Sequence, residues 1–125
     1  MSMKMLHTGM TVDNLEDSIR FYQTVFGMEL LRKVESTDKR ADCAFLRSKD
    51  ESNEIELVSW RHKSPEEKPK LDHIGFAVPS LDGFLTEVVK YKGTVLRGPQ
   101  FSRVFETRAA RVADPSGIVL EIIEG

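Results

Sequence analysis

The sequence predicts an α+β fold made of two tandem βαβββ modules with cupped sheets, and three observations predict it. The chain is written twice: His7-Thr8-Gly9-Met10-Thr11-Val12 and His73-Ile74-Gly75-Phe76-Ala77-Val78 both read H-x-G-x-x-V. A glycine follows each histidine by 20 residues, at Gly27 and Gly93. Each half then ends on an acidic residue inside an apolar strand, Glu56 at 49 residues from His7 and Glu121 at 48 residues from His73. A period of this kind signals repeated supersecondary units.

Taken in order, residues 4–12 form a short apolar run and predict a strand. Asp13 with Glu16 resembles a capping box, after which Leu15, Ile19, Tyr22 and Phe26 fall on one helical face. Gly27 stands where a helix C-cap favours positive φ. Strands follow at about 29–36, 41–48 and 53–60. The charged segment Arg61 to Lys70, with Pro65 and Pro69, reads as a linker, so the modules span about 1–61 and 70–125 of one domain. The second module repeats the order. A strand at 71–78 leads to a helix from near Ser80 with Leu81, Phe84, Leu85, Val88 and Val89 on one face, then Gly93 as its cap. Strands are expected at 94–97, 105–113 and 117–123, with Asp114-Pro115-Ser116-Gly117 as a type I turn.

Composition narrows the function. The chain has 125 residues, 18 Lys+Arg against 20 Asp+Glu, a net charge of −2, and no apolar run long enough to span a bilayer. That balance argues against nucleic-acid or acidic-membrane partners. No signal-like stretch opens the sequence, and the single cysteine, Cys43, excludes an intrachain disulfide or a multi-thiolate metal site. The expected setting is the cytoplasm.

Strand parity places the chemistry. Leu6, Met10 and Val12 must face the first helix, so His7, Gly9 and Thr11 face away from it. Ile74, Phe76 and Val78 likewise turn His73, Gly75 and Ala77 outward, and Ile55/Leu57 and Leu120/Ile122 do the same for Glu56 and Glu121. One strand histidine or glutamate on a solvated face is ordinary. Two of the three histidines and two glutamates at matching repeat positions, beside glycines, point to a site for Zn²⁺, Ni²⁺, Co²⁺, Mn²⁺ or Fe²⁺. His62 reads as a solvent residue and Cys43 as a small strand residue. The stretch from Arg97 to Arg111, with Arg103 and Arg108, is able to hold an anionic substrate or to be solvated hairpin charge. Trp60 either covers a substrate pocket or closes its strand.

The two H-x-G strands, the Ser18-Ile19-Arg20-Phe21-Tyr22 helix before Phe26-Gly27-Met28, and the Asp114-Pro115-Ser116-Gly117 turn into Leu120-Glu121 resemble the vicinal oxygen chelate superfamily. The order His, Glu, His, Glu is similar to its glyoxalase I (lactoylglutathione lyase) branch in the short bacterial form. The resemblance covers nearly the whole chain. It implies His7, Glu56, His73 and Glu121 as metal ligands, one divalent ion per site with Ni²⁺ or Co²⁺ favoured and Zn²⁺ possible, and Glu121 as principal base with Glu56 as its partner. The implied reaction converts a 2-oxoaldehyde–glutathione hemithioacetal to the 2-hydroxyacyl thioester, the ion stabilising an enediolate. It also implies a homodimer with sites at the interface, His7 and Glu56 of one subunit meeting His73 and Glu121 of the other. The sequence departs from the pattern where thiol recognition belongs: Thr11 stands where an arginine is usual and Trp60 where an asparagine is usual. Thr11, Trp60 and Arg103 are therefore the candidate substrate contacts, with Arg20 and Arg108 as further cations. Other readings are an epimerase or related enediolate enzyme, and a metal-free binding module of the bleomycin-resistance type.

Overall fold

The computed structural model describes residues 3–49, 51–62 and 68–125. Its first βαβββ run is β1 (Lys4–Thr11), α1 (Leu15–Val25), β2 (Glu29–Glu35), β3 (Ala41–Arg47) and β4 (Glu54–Trp60). The second is β5 (Lys70–Val78), α2 (Leu81–Lys90), β6 (Thr94–Ser102), β7 (Thr107–Ala113) and β8 (Val119–Glu124). Residues 63–67 of the expected linker, Pro65 included, lie outside the described residues. The chain divides into two compact units, His7–Asp72, and His73–Gly125 with the residues up to Leu6. Among the described residues no helix is long and apolar enough to cross a membrane.

Both runs have one topology. Strand order is β2-β3-β4-β1 in the first and β5-β8-β7-β6 in the second. β1 lies parallel to β4 and β5 parallel to β8, while the remaining pairs in each run are antiparallel hairpins. The helix that separates the two parallel strands covers one sheet face, as a β-to-β crossover requires. In the first unit Leu15 and Ile19 pack on Ala44, Leu46 and Leu57, with Met10, Val12 and Ile55 at the margin. In the second, Leu81 and Leu85 pack on Val78, Ala110, Val112 and Ile122. Those contacts leave the opposite face of each sheet to the histidines and glutamates.

The structure corrects several local expectations. Asn14, not Asp13, caps α1, its side chain accepting from the Asp17 N–H at 2.9 Å. The cap and its bonded N–H thus lie one residue further on than the Asp13–Glu16 spacing implied, at Asn14 and Asp17. Ser80 precedes α2 without a side-chain cap bond, and the Glu124 carboxylate of β8 takes that place by accepting from the Leu81 N–H at 2.9 Å. Phe26 and Val89 fall outside the buried stripes, at 63% and 61% exposure. Phe26 has already left the helix as its C-cap, so the helical period no longer governs it. Gly27 has the expected φ of +66°, but in the second module Lys92 takes the left-handed position at φ 71°. Gly93 is needed there for another reason, since a Cβ would sit 2.7 Å from Val88 Cγ1. Strand β6 runs past residue 97 to Ser102, because register shifts on both sides of Arg97 absorb Gly98 and Pro99. The turn Asp114–Gly117 is as expected, the Gly117 N–H donating to Asp114 O at 2.9 Å.

Candidate functional site

The first half-site lies on β1 and β4. Their register pairs His7 with Glu54 and Gly9 with Glu56, so a glycine stands directly beside the glutamate and leaves room for the imidazole two residues earlier. His7 Nε2 lies 3.3 Å from Glu56 Oε1. Both residues are buried, at 2% and 5% exposure. On the next strand Phe45 is the direct partner of Glu56 and is fully buried, its ring edge-on to the imidazole at 5.9 Å and 87°. Arg32, opposite Phe45 on β2, lays its guanidinium 4.0 Å over that ring and reaches Glu54 Oε1 at 3.5 Å.

The second half-site repeats this on β5 and β8. Gly75 pairs with Glu121, and His73 Nε2 lies 3.3 Å from Glu121 Oε1. His73 is buried, while the Glu121 side chain keeps 14% exposure. Arg111 on β7 is the direct partner of Glu121, in the place Phe45 has beside Glu56. Its Nη2 lies 3.7 Å from Glu121 Oε2 and 3.5 Å from His73 Nδ1. Arg97 on β6 is in turn the partner of Arg111.

His7, Glu56, His73 and Glu121 each offer a ligand atom and are residues that could hold a metal ion. The donor chemistry fits. Each pair joins an imidazole nitrogen and a carboxylate oxygen at 3.3 Å. Imidazole with carboxylate is the mixed N/O set that first-row divalent ions accept.

The other residues singled out from the sequence fall in different places. Thr11 is buried, and its hydroxyl donates to Asp72 Oδ2 at 3.0 Å. Trp60 ends β4 on the same face as Glu56, and its buried indole N–H has no acceptor among the described residues. Arg103 lies exposed in the β6–β7 turn. Arg108 belongs to the helix side, paired with Asp82 at 2.9 Å and Glu124 at 3.7 Å. Arg20 and His62 are exposed, and Cys43 is buried and in no disulfide. Sequence reasoning passed over Phe45 and Arg32, whose place beside the glutamate depends on strand register. Aligning the two halves outward from Glu56 and Glu121 is the one signal that pairs Phe45 with Arg111.

Comparisons with known proteins give the family and the fold. The family model described as the glyoxalase/bleomycin resistance protein/dioxygenase superfamily matches residues 4–122. A probable lactoylglutathione lyase of Vibrio cholerae is 36% identical, covering 97% of this chain and 90% of its own. A lactoylglutathione lyase of Haemophilus influenzae is 35% identical, covering 98% and 93%. Among solved structures, a methylmalonyl-CoA epimerase of Streptomyces coelicolor superposes with a TM-score of 0.83 at 17% identity over 98% of this chain and 96% of that one. The Mycobacterium tuberculosis methylmalonyl-CoA epimerase gives 0.78 at 20% identity over 96% and 86%. At such identity these two show the fold alone.

Proposed function

Because this chain belongs to the glyoxalase/bleomycin resistance protein/dioxygenase superfamily, and within it is lactoylglutathione lyase-like, we propose that it is a metal-dependent glyoxalase I-type lyase. Its substrate on this reading is the hemithioacetal of a 2-oxoaldehyde such as methylglyoxal with glutathione, and its product the 2-hydroxyacyl thioester. The observation that carries the proposal is the recurrence of one His–Glu pair, at 3.3 Å in both units, on the face each helix leaves open.

His7, Glu56, His73 and Glu121 would together hold one divalent ion, Ni²⁺ or Co²⁺ by preference, with Zn²⁺ able to fit. When bound, the ion supplies positive charge that stabilises negative charge developing on the substrate's neighbouring oxygens. The chain's own part is proton transfer. Glu121 takes the proton from C1 of the hemithioacetal and the same carboxyl returns it to C2, while the hydroxyl proton passes from the C1 oxygen to the C2 oxygen, so the step is an isomerisation with no other reactant. Glu56 is the pseudo-equivalent carboxylate and the second candidate for that work. Thr11, Trp60 and Arg103 are the proposed substrate contacts from the sequence. Of these Trp60 shares the face of Glu56, and its buried N–H has no acceptor among the described residues. The proposed assembly is a cytoplasmic homodimer with sites at its interface, which light scattering would show as twice 14.2 kDa.

The deciding experiment is metal analysis of the purified protein combined with a hemithioacetal isomerisation assay across Ni²⁺, Co²⁺, Zn²⁺ and Mn²⁺. Metal-dependent turnover with glutathione supports the proposal. A protein that binds metal yet is inactive with every thiol would move the site to another proton transfer, such as epimerisation. A protein that binds no metal would make it a binding module.

A further inference from the structure

A stack of side chains in the first unit leads from the surface to His7. Arg32 on β2, Phe45 on β3 and Glu56 on β4 are successive register partners. Direct cross-strand partners share a sheet face, so Arg32 and Phe45 stand on the face that carries Glu56. The guanidinium carbon of Arg32 lies 4.0 Å from the Phe45 ring centroid, well inside cation–π range. The Phe45 ring in turn meets the His7 imidazole at 5.9 Å and 87°. Arg32 Nη2 also lies 3.5 Å from Glu54 Oε1, and Glu54 is the register partner of His7. Arg32 is thus held at two points, the ring against His7 and the carboxylate opposite it.

The backbone is built to put Arg32 there. The pairing of β2 with β3 shifts by one residue between Leu30 and Arg32. Without that shift Leu31 would stand opposite Phe45, and Arg32 opposite Ala44 in the core under α1. A bulge re-aims a side chain in this way, and here it turns the guanidinium onto the ligand face. The histidine needs such support, because the χ2 torsion of an imidazole has no sharp staggered minima and takes its plane from its neighbours. In the second unit Arg111 has the register place of Phe45 and brings Nη2 to 3.5 Å from His73 Nδ1. A phenyl ring offers no hydrogen-bonding atom, so Phe45 orients His7 by shape. Its own χ2 is equally soft, and the cation over its face supplies the stiffness.

We propose that Arg32 is a positioning residue for the metal: it fixes the Phe45 ring, which holds the His7 imidazole at the angle a divalent ion requires. This rests on the reading of His7 and Glu56 as metal ligands. Groups behind a ligating histidine commonly set 10- to 100-fold in metal affinity, and Arg32 acts one contact further out. Charge alone would act in the opposite direction. A guanidinium repels a divalent cation, and removing it leaves the Glu54 carboxylate to attract one, so electrostatics makes Arg32→Met the tighter metal binder. Loss of the clamp makes it the weaker one.

The test is calorimetric titration of the metal-free protein with Co²⁺, with the visible spectrum of each Co²⁺-loaded sample recorded alongside. Arg32→Met is expected to bind Co²⁺ about 3- to 10-fold more weakly than the wild type, the range of a cation–π contact. Its Co²⁺ d–d bands should also change, since they report the ligand geometry. Arg32→Lys keeps the cation but not the planar group and should fall between the two. The Arg32 side chain is 38% exposed, so both variants should keep a metal-free Tm near that of the wild type. Arg61→Met removes a first-unit arginine outside the stack and should bind Co²⁺ as the wild type does. Unchanged or tighter binding by Arg32→Met, an unaltered spectrum, or an equal loss in Arg61→Met would overturn the proposal. Absence of Co²⁺ binding by the wild type would overturn the ligand assignment with it, which separates the two failures.

Discussion

The two half-sites place a histidine and a glutamate at the same 3.3 Å, on equivalent parallel strands, yet differ in what stands beside each glutamate. Glu56 has Phe45, a fully buried ring tied to the imidazole and covered by Arg32. Glu121 has Arg111, whose guanidinium is within ion-pair range and whose strand partner is a second arginine. Backbone topology and glycine spacing hold the ligand pair in both copies, so the flanking position is free to change without moving it. The first copy uses that position for packing. The second has charge there, next to a more open carboxylate.

The sharpest way to break this comparison is to remove each carboxylate's basicity in turn. Glu121→Gln should lower kcat by about 10²- to 10⁴-fold in metal-saturated protein, because an amide cannot accept the C1 proton. Glu56→Gln should cost less if the open, arginine-flanked copy is the working one. Stopped assays of both variants with the glutathione hemithioacetal decide it; an equal loss in the two would erase the assigned difference.

Much of this was legible in the residues because it depends on periods of two and on repetition. Alternation along 4–12 and 71–78 put His7 and His73 opposite the helix-facing Met10 and Phe76, and the same parity turned Glu56 and Glu121 with them. The register then brought each glycine beside its glutamate. What stayed hidden depends on how strands line up across the sheet. No local pattern in Ala41–Arg47 marks Phe45 as the neighbour of Glu56, nor does any place Arg97 opposite Arg111 across a shifted register. The cap of α2 was hidden for a similar reason, since Glu124 reaches Leu81 from 43 residues away.

Stability should separate the two flanking residues. Phe45 is fully buried, so Phe45→Ala removes a core ring and should cost about 3–5 kcal/mol in urea unfolding. Arg111→Leu removes a partly exposed guanidinium held at 3.5–3.7 Å and should cost less than about 1 kcal/mol. A cost at Arg111 as large as that at Phe45 would make both flanks structural and remove the functional contrast.

The ligand pairs are expected to respond alike where their flanks do not. Adding metal at 100 times its dissociation constant should stabilise the wild type by about 2.7 kcal/mol, and chelator should remove that increment. His7→Ala and His73→Ala should each abolish most of the metal-dependent rise in Tm while leaving the metal-free Tm near that of the wild type. If only one of them did so, the two pairs would not share one ion.

The smallest effect expected compares the surface ion pairs of the two units. In the first, Arg61 joins Glu35 at 2.8 Å, Asp42 at 2.6 Å and the Lys39 carbonyl at 2.9 Å, which ties β4's end to β2 and β3. In the second, Arg108 joins Asp82 at 2.9 Å, linking the start of α2 to β7. The hydrogen bond from Arg61 holds Asp42 below its usual 3.8, and that from Arg108 does the same for Asp82. A carboxylate depressed in the folded state adds stability above its unfolded pKa, and this is lost as pH falls through the folded value. The Tm difference between wild type and Arg61→Met should therefore be flat from pH 7 to about 5 and shrink below about 4. Asp82 is more exposed than Asp42, 74% against 50%, and Arg108 has fewer partners, so Asp82→Asn should move Tm less. Salt separates them further. At about 1 M ionic strength the Debye length falls to roughly 3 Å, which screens the more exposed Arg108–Asp82 pair while the three-partner Arg61 cluster keeps its hydrogen bonds. A Tm shift for Arg61→Met that grew toward acid pH would show that Arg61 acts through some group other than these carboxylates.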